Sequence, residues 1–132
     1  MSIGLLIITH DHIGEALLAT ANHMLETNPL ECRTLDVNNS SNPDEVNHQA
    51  RELLQQLDTG DGVLVLTDIY GSTPSNIAAR LLCKDQVNVV AGINLPMLVR
   101  VLNYADLTLD QITEKAVSGG NDGIVRCIPG AH

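Results

Sequence analysis

The sequence predicts an α/β protein with a doubly wound, mainly parallel sheet and helices on both faces of that sheet. Three observations carry this prediction. Apolar segments of strand length alternate with segments of helical periodicity, two of the strand segments are apolar at almost every position, and polar residues follow them directly. Because strand–helix–strand units of this kind are right-handed, we expect four strands in the order 2-1-3-4.

The predicted strands differ in how much of each is apolar. Gly4–Ile8 and Gly62–Asp68 are largely apolar, which predicts central strands that are buried on both faces. Polar and apolar residues alternate in Glu31–Val37, so this strand is expected at an edge. Val87–Ile93 is then expected to lie beyond the third strand. A short fifth strand is predicted at Ile124–Ile128.

The helices are predicted from apolar spacing and from capping signals. The first runs from about residue 13 to 26, and the second begins at Asn42-Pro43. Thr73 is expected to cap the third helix. Asn94 opens the fourth, and Thr108 caps a fifth that ends in a turn at residues 119–123. The first helix is expected to bury a stripe that consists of Ile13, Ala16, Leu17, Ala21 and Met24.

The composition limits the classes of partner. The chain has 132 residues, which fits a single domain over residues 1–132, and its formal net charge of −9 disfavours nucleic acid as a partner. Phe and Trp are absent, so the core is aliphatic and base-stacking surfaces are not expected. The acidity suits a partner with a basic face, although acidity also serves solubility alone.

Cysteine usage and short motifs restrict the chemistry further. Cys32, Cys83 and Cys127 are an odd number and lack metal-ligand spacing, which favours reduced thiols in the cytoplasm. The apolar run at the N-terminus is too short for a signal peptide or a membrane span. The sequence has no phosphate-binding P-loop and no dinucleotide fingerprint, so neither kind of nucleotide site is supported and we expect no cofactor. We also expect no metal, because no further His or Cys is placed to complete a ligand set.

Polar residues follow the two central strands, where the sheet has its topological switch point. His10 and Asp11 lie on one side of that crevice, and Asp68 lies on the other. A neutral imidazole can attack phosphorus when an acceptor holds its other nitrogen as N–H. We therefore predict that His10 is a nucleophile for phosphate and that Asp68 orients its ring, as the triad aspartate does.

The turn after Asp68 supplies candidate donors to a phosphoryl group. Gly71, Ser72 and Thr73 lead into a helix, where free N–H groups favour an anion, and the two hydroxyls can add hydrogen bonds. Each candidate also has a purely structural explanation. Thr73 can be only a helix cap, Asp68 only a residue at the start of a loop, and His10 only a hydrogen-bonded histidine at a strand end.

Three blocks of the sequence resemble one known family. They are Ile7–His10, Thr67–Pro74 and Ala91–Leu98, and they resemble the signature blocks of enzyme IIA of the mannose-type sugar phosphotransferase system, which covers mannose, fructose and sorbose. The blocks occur in the right order, and the resemblance covers essentially the whole chain. One position departs from the family pattern, because the residue after the active histidine is commonly Gly and here is Asp11.

The resemblance implies a function and a set of partners. His10 would receive a phosphoryl group from the phosphocarrier protein HPr and pass it to a IIB domain. Asp68 would be bonded to the histidine, and the turn with Ser72 and Thr73 would hold the phosphoryl oxygens. The family also implies a homodimer in which Ile124–Ile128 pairs with the partner subunit's sheet. The chain would be peripheral to a membrane permease at most.

Other functions stay open at this point. His10, His12 and Asp68 could form a hydrolytic zinc site, but His12 is expected to leave the crevice because a helical pattern begins at Ile13. The same phosphoryl chemistry could serve a bacterial dihydroxyacetone kinase, whose phosphoryl-donor subunit has a similar domain. A third alternative is a regulatory phosphoprotein without a transport role.

Overall fold

The computed structural model describes residues 2–130 and contains one four-stranded sheet. Its strands are β1 (Gly4–His10), β2 (Glu31–Val37), β3 (Val63–Thr67) and β4 (Val87–Ala91). All neighbouring strands are parallel, and their order is β2-β1-β3-β4. The predicted fold class and strand order are therefore confirmed.

Helices cover both faces of the sheet. They are α1 (Ile13–Leu25), α2 (Pro43–Leu57), α3 (Thr73–Ala79), α4 (Leu95–Asn103) and α5 (Leu109–Asp122), with a 3₁₀ turn at Arg80–Cys83. One core cluster joins α1, α4 and α5 to Leu5 and Ile7 of β1. A second joins α2 and α3 to Leu6 and Ile8 on the opposite face. The chain thus leaves β1 and β3 in opposite directions, and the carboxyl ends of these strands form a crevice.

The central strand β1 anchors both halves of the core. Leu5, Leu6, Ile7 and Ile8 are all fully buried, and successive side chains alternate between the two faces of the sheet. Truncating one such side chain to Ala typically costs about 2–5 kcal/mol. The position of His10 at the end of β1 is therefore fixed by packing on both sides of the sheet.

The helix α1 is rotated relative to the predicted stripe. Ile13 and Met24 are 46% and 58% exposed, whereas the inward face carries Gly14 and Ala21. The reason is the close approach of α1 to β1, because a Cβ on Gly14 would lie 2.6 Å from Cγ2 of Ile7. The smallest residue of the first turn, not the largest apolar one, therefore sets which face is buried.

The last helix is longer than predicted. The residues 119–123 were expected to form a turn, but α5 continues through Asp122. Gly119 and Gly120 are buried, and they allow α5 to lie directly against Arg100 and Met97 of α4. Packing between the two helices thus outweighs the low helix propensity of consecutive glycines.

Ile124–Ile128, the predicted fifth strand, is not part of the sheet within residues 2–130. Ile124 and Val125 are 78% and 70% exposed. The strand β4 pairs with β3 on one side, and its other edge has no strand partner in the described chain. Pairing of the tail with a partner subunit stays a prediction. Among the described helices, none is long and apolar enough to span a bilayer.

Candidate functional site

His10 and Asp68 meet at the carboxyl end of the sheet. His10 ends β1, and Asp68 follows β3 directly, so the two residues lie side by side on adjacent parallel strands. Nδ1 of His10 lies 2.8 Å from Oδ2 of Asp68, and the backbone N–H of His10 donates to the same oxygen at 2.8 Å. The Asp68 side chain is 10% exposed and that of His10 is 42% exposed.

The hydrogen bonds around Asp68 fix the tautomer of His10. Burial alone would raise the pKa of Asp68, but hydrogen bonds from the backbone and ring of His10 and from the backbone of Ile69 outweigh it and hold the pKa below its usual range. Asp68 is therefore a carboxylate at neutral pH and accepts a hydrogen bond from the Nδ1–H of His10. Nε2 then carries the free lone pair, and no residue between 2 and 130 hydrogen-bonds to it.

The backbone of Asp68 is held from the next strand. The N–H of Gly92 donates to the carbonyl of Asp68 at 2.6 Å, and the N–H of Ile93 donates to that of Thr67 at 3.0 Å. Gly92 has φ +90°, a conformation that favours glycine. Asn94 then caps α4 by accepting the N–H of Met97 at 2.9 Å. The third sequence block thus positions Asp68, a role that the sequence did not reveal.

The turn after Asp68 contains the three predicted phosphate-binding residues. Gly71 has φ +86°, and its N–H donates to Oγ of Ser75 at 3.2 Å. Ser72, not Thr73, caps α3, because its Oγ accepts the N–H of Ser75. The prediction of Thr73 as the cap is wrong by one residue, since the chain enters helical geometry at Thr73 itself. Thr73 is exposed, and neither its N–H nor its hydroxyl has a hydrogen-bond partner among residues 2–130.

A second histidine–carboxylate pair lies on the β2 side of the crevice. Nδ1 of His12 is 2.7 Å from Oδ2 of Asp36 and 3.5 Å from Oε2 of Glu15. The hydrogen bond that His12 donates to Asp36 and the negative charges of both carboxylates raise the pKa of His12. His12 therefore turns away from His10 and Asp68. Within residues 2–130, the group close enough to share a metal ion is His12, Glu15 and Asp36, and not the alternative zinc set of His10, His12 and Asp68.

Asp11 occupies a turn between the two histidines. Its φ is +45°, a left-handed conformation that is unusual for a residue with a side chain, and its N–H donates to the carbonyl of Val37 at 2.9 Å. Glycine, by contrast, adopts such a conformation without a steric penalty. The Asp11 side chain is exposed.

The side chain of His10 is partly exposed at the surface. A cavity of about 530 Å³ lies elsewhere, at the amino end of the sheet, where Ile3, Asn88 and Asp110 line it. His10 is not among its lining residues. The His10 side chain therefore lies at the surface and not in this cavity.

Fold and site together define an α/β protein with a carboxylate-paired histidine at the switch point of its sheet. The family model EIIA-man, described as the fructose IIA component of the phosphotransferase system (PTS), matches residues 4–117. The chain therefore belongs to this family of PTS IIA components of the mannose/fructose type.

Curated relatives agree with the family. The mannose-specific EIIAB component of the PTS from Escherichia coli is 34% identical over 127 residues, which cover 94% of this chain and 39% of that protein. The chain thus spans well under half of this relative. The fructose-specific EIIA component from Bacillus subtilis is 43% identical over 60 residues, which cover 45% of this chain and 39% of that protein.

Solved structures give the same fold. The mannose/sorbose-specific IIA subunit from Enterococcus faecalis superposes with a TM-score of 0.87 at 21% identity, and the match covers 100% of both chains. A PTS IIA protein associated with the fucose utilization operon of Streptococcus pneumoniae is 31% identical, with a TM-score of 0.74 and coverage of 89% and 93%.

Proposed function

We propose that this chain is a phosphoryl carrier that accepts a phosphoryl group from phospho-HPr on Nε2 of His10 and passes it to a IIB component. The observation that carries the proposal is the pair of hydrogen bonds between His10 and Oδ2 of Asp68. One bond fixes the backbone, and the other holds Nδ1 as the protonated nitrogen. The nucleophilic lone pair is thereby left on the solvent side of the ring.

The transfer step needs only the two imidazole rings and the carboxylate of Asp68. Nε2 of His10 attacks the phosphorus of the donor's phosphorylated imidazolium, and the donor's P–N bond breaks as the new P–N bond forms. The electron pair of the broken bond returns to the donor nitrogen, so the donor leaves as a neutral imidazole. The His10 ring takes up the positive charge, and the carboxylate of Asp68 stabilises it at 2.8 Å.

Donors for the phosphoryl oxygens come from the turn at residues 71–73. Thr73 supports this role best, because its exposed hydroxyl and N–H are not used by other described residues. The hydroxyl of Ser72 now donates to the carbonyl of Ile69 at 2.6 Å and can rotate toward an incoming anion. Gly71 permits the sharp turn that brings these groups next to Asp68.

We also propose that the carrier is a homodimer in which Ile124–Ile128 adds to the free edge of β4 of the partner subunit. Two features support this assembly. The edge of β4 is unpaired within residues 2–130, and the tail exposes large apolar side chains. A cavity of about 260 Å³ beside this edge is lined by Val90, Val117 and Ile124. Burial of apolar side chains and completion of backbone hydrogen bonds both favour pairing.

Phosphate labelling tests the carrier function. The chain is incubated with labelled phosphoenolpyruvate, enzyme I and HPr, and an acid-labile, base-stable phosphate is expected on His10. His10→Ala should abolish the label, whereas His48→Ala, on the exposed face of α2, should keep it. Undiminished labelling of His10→Ala would overturn the assignment, and failure of the wild-type chain to accept label would overturn the function.

A further inference from the structure

The rim of the His10 crevice has two chemically different sides. On the β3 side, Ile69 and Tyr70 follow Asp68 and are 65% and 88% exposed. On the β2 side stand the carboxylates of Asp11, Glu15 and Asp36. We propose that these five residues form a two-part docking surface for the phosphoryl-donor protein, one half apolar and one half acidic. The proposal deepens the proposed function and rests on it.

The apolar half is rigidly placed. The N–H of Ile69 donates to Oδ1 of Asp68 at 2.8 Å, so the same carboxylate that orients His10 also fixes the start of this turn. Tyr70 is one of only two tyrosines in a chain without Phe or Trp, yet it is almost fully exposed. Exposed aromatic side chains in a preorganised turn are typical anchors of protein interfaces.

The acidic half carries charge that the chain itself does not neutralise. Among residues 2–130, none of these three carboxylates pairs with Lys or Arg. His12 contacts both Asp36 and Glu15, and only its protonated form offsets one negative charge of the three. Asp11 stays in a left-handed backbone conformation that glycine would adopt more easily. A carboxylate is therefore retained beside His10 at a conformational cost.

The charge and the two-sided layout of the docking surface fit one class of binding partner. A net charge of −9 and an acidic rim repel nucleic acid and free anions, but they attract a protein with Lys or Arg at its contact face. The strands β2 and β3 flank β1, so the two halves lie on opposite sides of His10. A donor that contacts both halves places its phosphohistidine between them. The occupant is thus a protein with an apolar patch on one side of its phosphohistidine and a cationic patch on the other.

Transfer kinetics with phospho-HPr test this surface. Tyr70→Ala and the double variant Asp11→Asn/Glu15→Gln are each expected to raise KM by about tenfold with little change in kcat. The salt dependence of KM distinguishes the contributions of the two halves, because ionic strength screens charge but not apolar contact. The KM of wild type and of Tyr70→Ala should rise with salt, whereas that of the acidic variant should rise much less.

Matched controls and a second donor make the test specific. Leu82→Ser removes an apolar side chain that is 53% exposed, and Asp85→Asn removes an exposed carboxylate; both lie just before β4, at the opposite end of the sheet. Both controls should keep the wild-type KM. Phosphoramidate, a small donor that needs no docking, should label His10 equally in wild type and docking variants.

The outcomes separate the docking surface from the carrier function. Absence of phospho-HPr labelling in wild type would remove the function itself. Normal labelling with KM values within about twofold of wild type in both docking variants would overturn the surface alone. Equal losses with phosphoramidate and phospho-HPr would also overturn it, since the residues would then act on the chemistry or the fold.

Discussion

Gly92 donates its backbone N–H to the carbonyl oxygen of Asp68 at 2.6 Å. This bond links the end of β4 to the residue that orients His10, although the two residues are far apart in the sequence. The carboxylate of Asp68 is thus held through its backbone by Gly92 and through its oxygens by His10 and Ile69. The orientation of the His10 ring therefore depends on three neighbouring strands, not on one loop.

The Gly92 contact predicts a coupled loss of stability and rate. Gly92→Ala forces a side chain into φ +90° and should cost about 1–2 kcal/mol of unfolding free energy, measured by urea denaturation. It should also slow phosphoryl transfer, because Asp68 shifts. Gly60→Ala is the matched control, since Gly60 has φ +106° and equally open surroundings in a remote turn. A Gly92→Ala variant that is destabilised but as fast as Gly60→Ala would contradict a positioning role.

The Asp68 carboxylate predicts a large kinetic effect. Asp68→Asn removes the negative charge that fixes the tautomer and stabilises the imidazolium, so single-turnover transfer should fall by about 10²–10⁴. Asp36→Asn alters the other histidine–carboxylate pair and should leave the chemical step intact. Circular dichroism checks that both variants are folded. Wild-type rates in Asp68→Asn would reduce Asp68 to a structural residue.

The His12 pair predicts a pH dependence. Asp36 and Glu15 raise the pKa of His12 in the folded state, so the histidine resonance should titrate above the unperturbed value of about 6.5 in NMR spectra. The stabilising contribution of the pair is fully present below that value and is lost as pH rises through the folded pKa. Asp36→Asn should lower the midpoint of the His12 titration and remove this pH dependence of stability. An unchanged midpoint would show that the contact does not form in solution.

The strained backbone at Asp11 predicts a gain in stability. Asp11→Gly should stabilise the fold by about 0.5–1 kcal/mol, because glycine adopts φ +45° without a steric penalty. Asp11→Ala keeps the penalty and should give no gain. Thermal unfolding of the three proteins measures the difference. Equal melting temperatures for the glycine and alanine variants would show that the backbone is not strained.

The exposed tail predicts the oligomeric state. Removal of residues 124–132 should convert dimers into monomers, since it deletes Ile124, Val125 and Ile128, whose side chains are exposed in the single chain. Light scattering coupled to size-exclusion chromatography measures the mass. A substitution on the tail, Ile124→Asp, should weaken the dimer without shortening the chain. A truncated protein that stays dimeric would exclude strand exchange.

Residue type and spacing predicted the fold well because apolar runs decide which strands are central. The same reasoning placed His10 opposite Asp68, since parallel strands end at one edge of the sheet. Hydrogen bonds between backbone atoms could not be predicted from residue types. The bond between Gly92 and Asp68 is one of these, because no side chain takes part in it. The pairing of His12 with Asp36 was missed because it depends on the register of β1 and β2.

Helix faces were less predictable than strands. Periodicity predicted that Ile13 faces the core, but Ile13 is largely exposed. Because α1 lies so close to Ile7 that only glycine fits at position 14, the helix turns Gly14 toward the sheet instead. The glycines of α5 predict a turn, but close packing with α4 keeps them helical. In both cases the distance between two elements, which a single sequence does not encode locally, decided the outcome.

The near-complete exposure of Tyr70 also gives the protein a built-in optical probe. The only other tyrosine, Tyr104, lies under the ammonium group of Lys115 at 4.3 Å, and the chain has no Trp to mask weak ultraviolet emission. Tyr104 is also 44% exposed, so only the change in intrinsic fluorescence on mixing that is lost in Tyr70→Phe would report from the turn beside His10. Encounter could be timed in a stopped-flow instrument without attaching any dye.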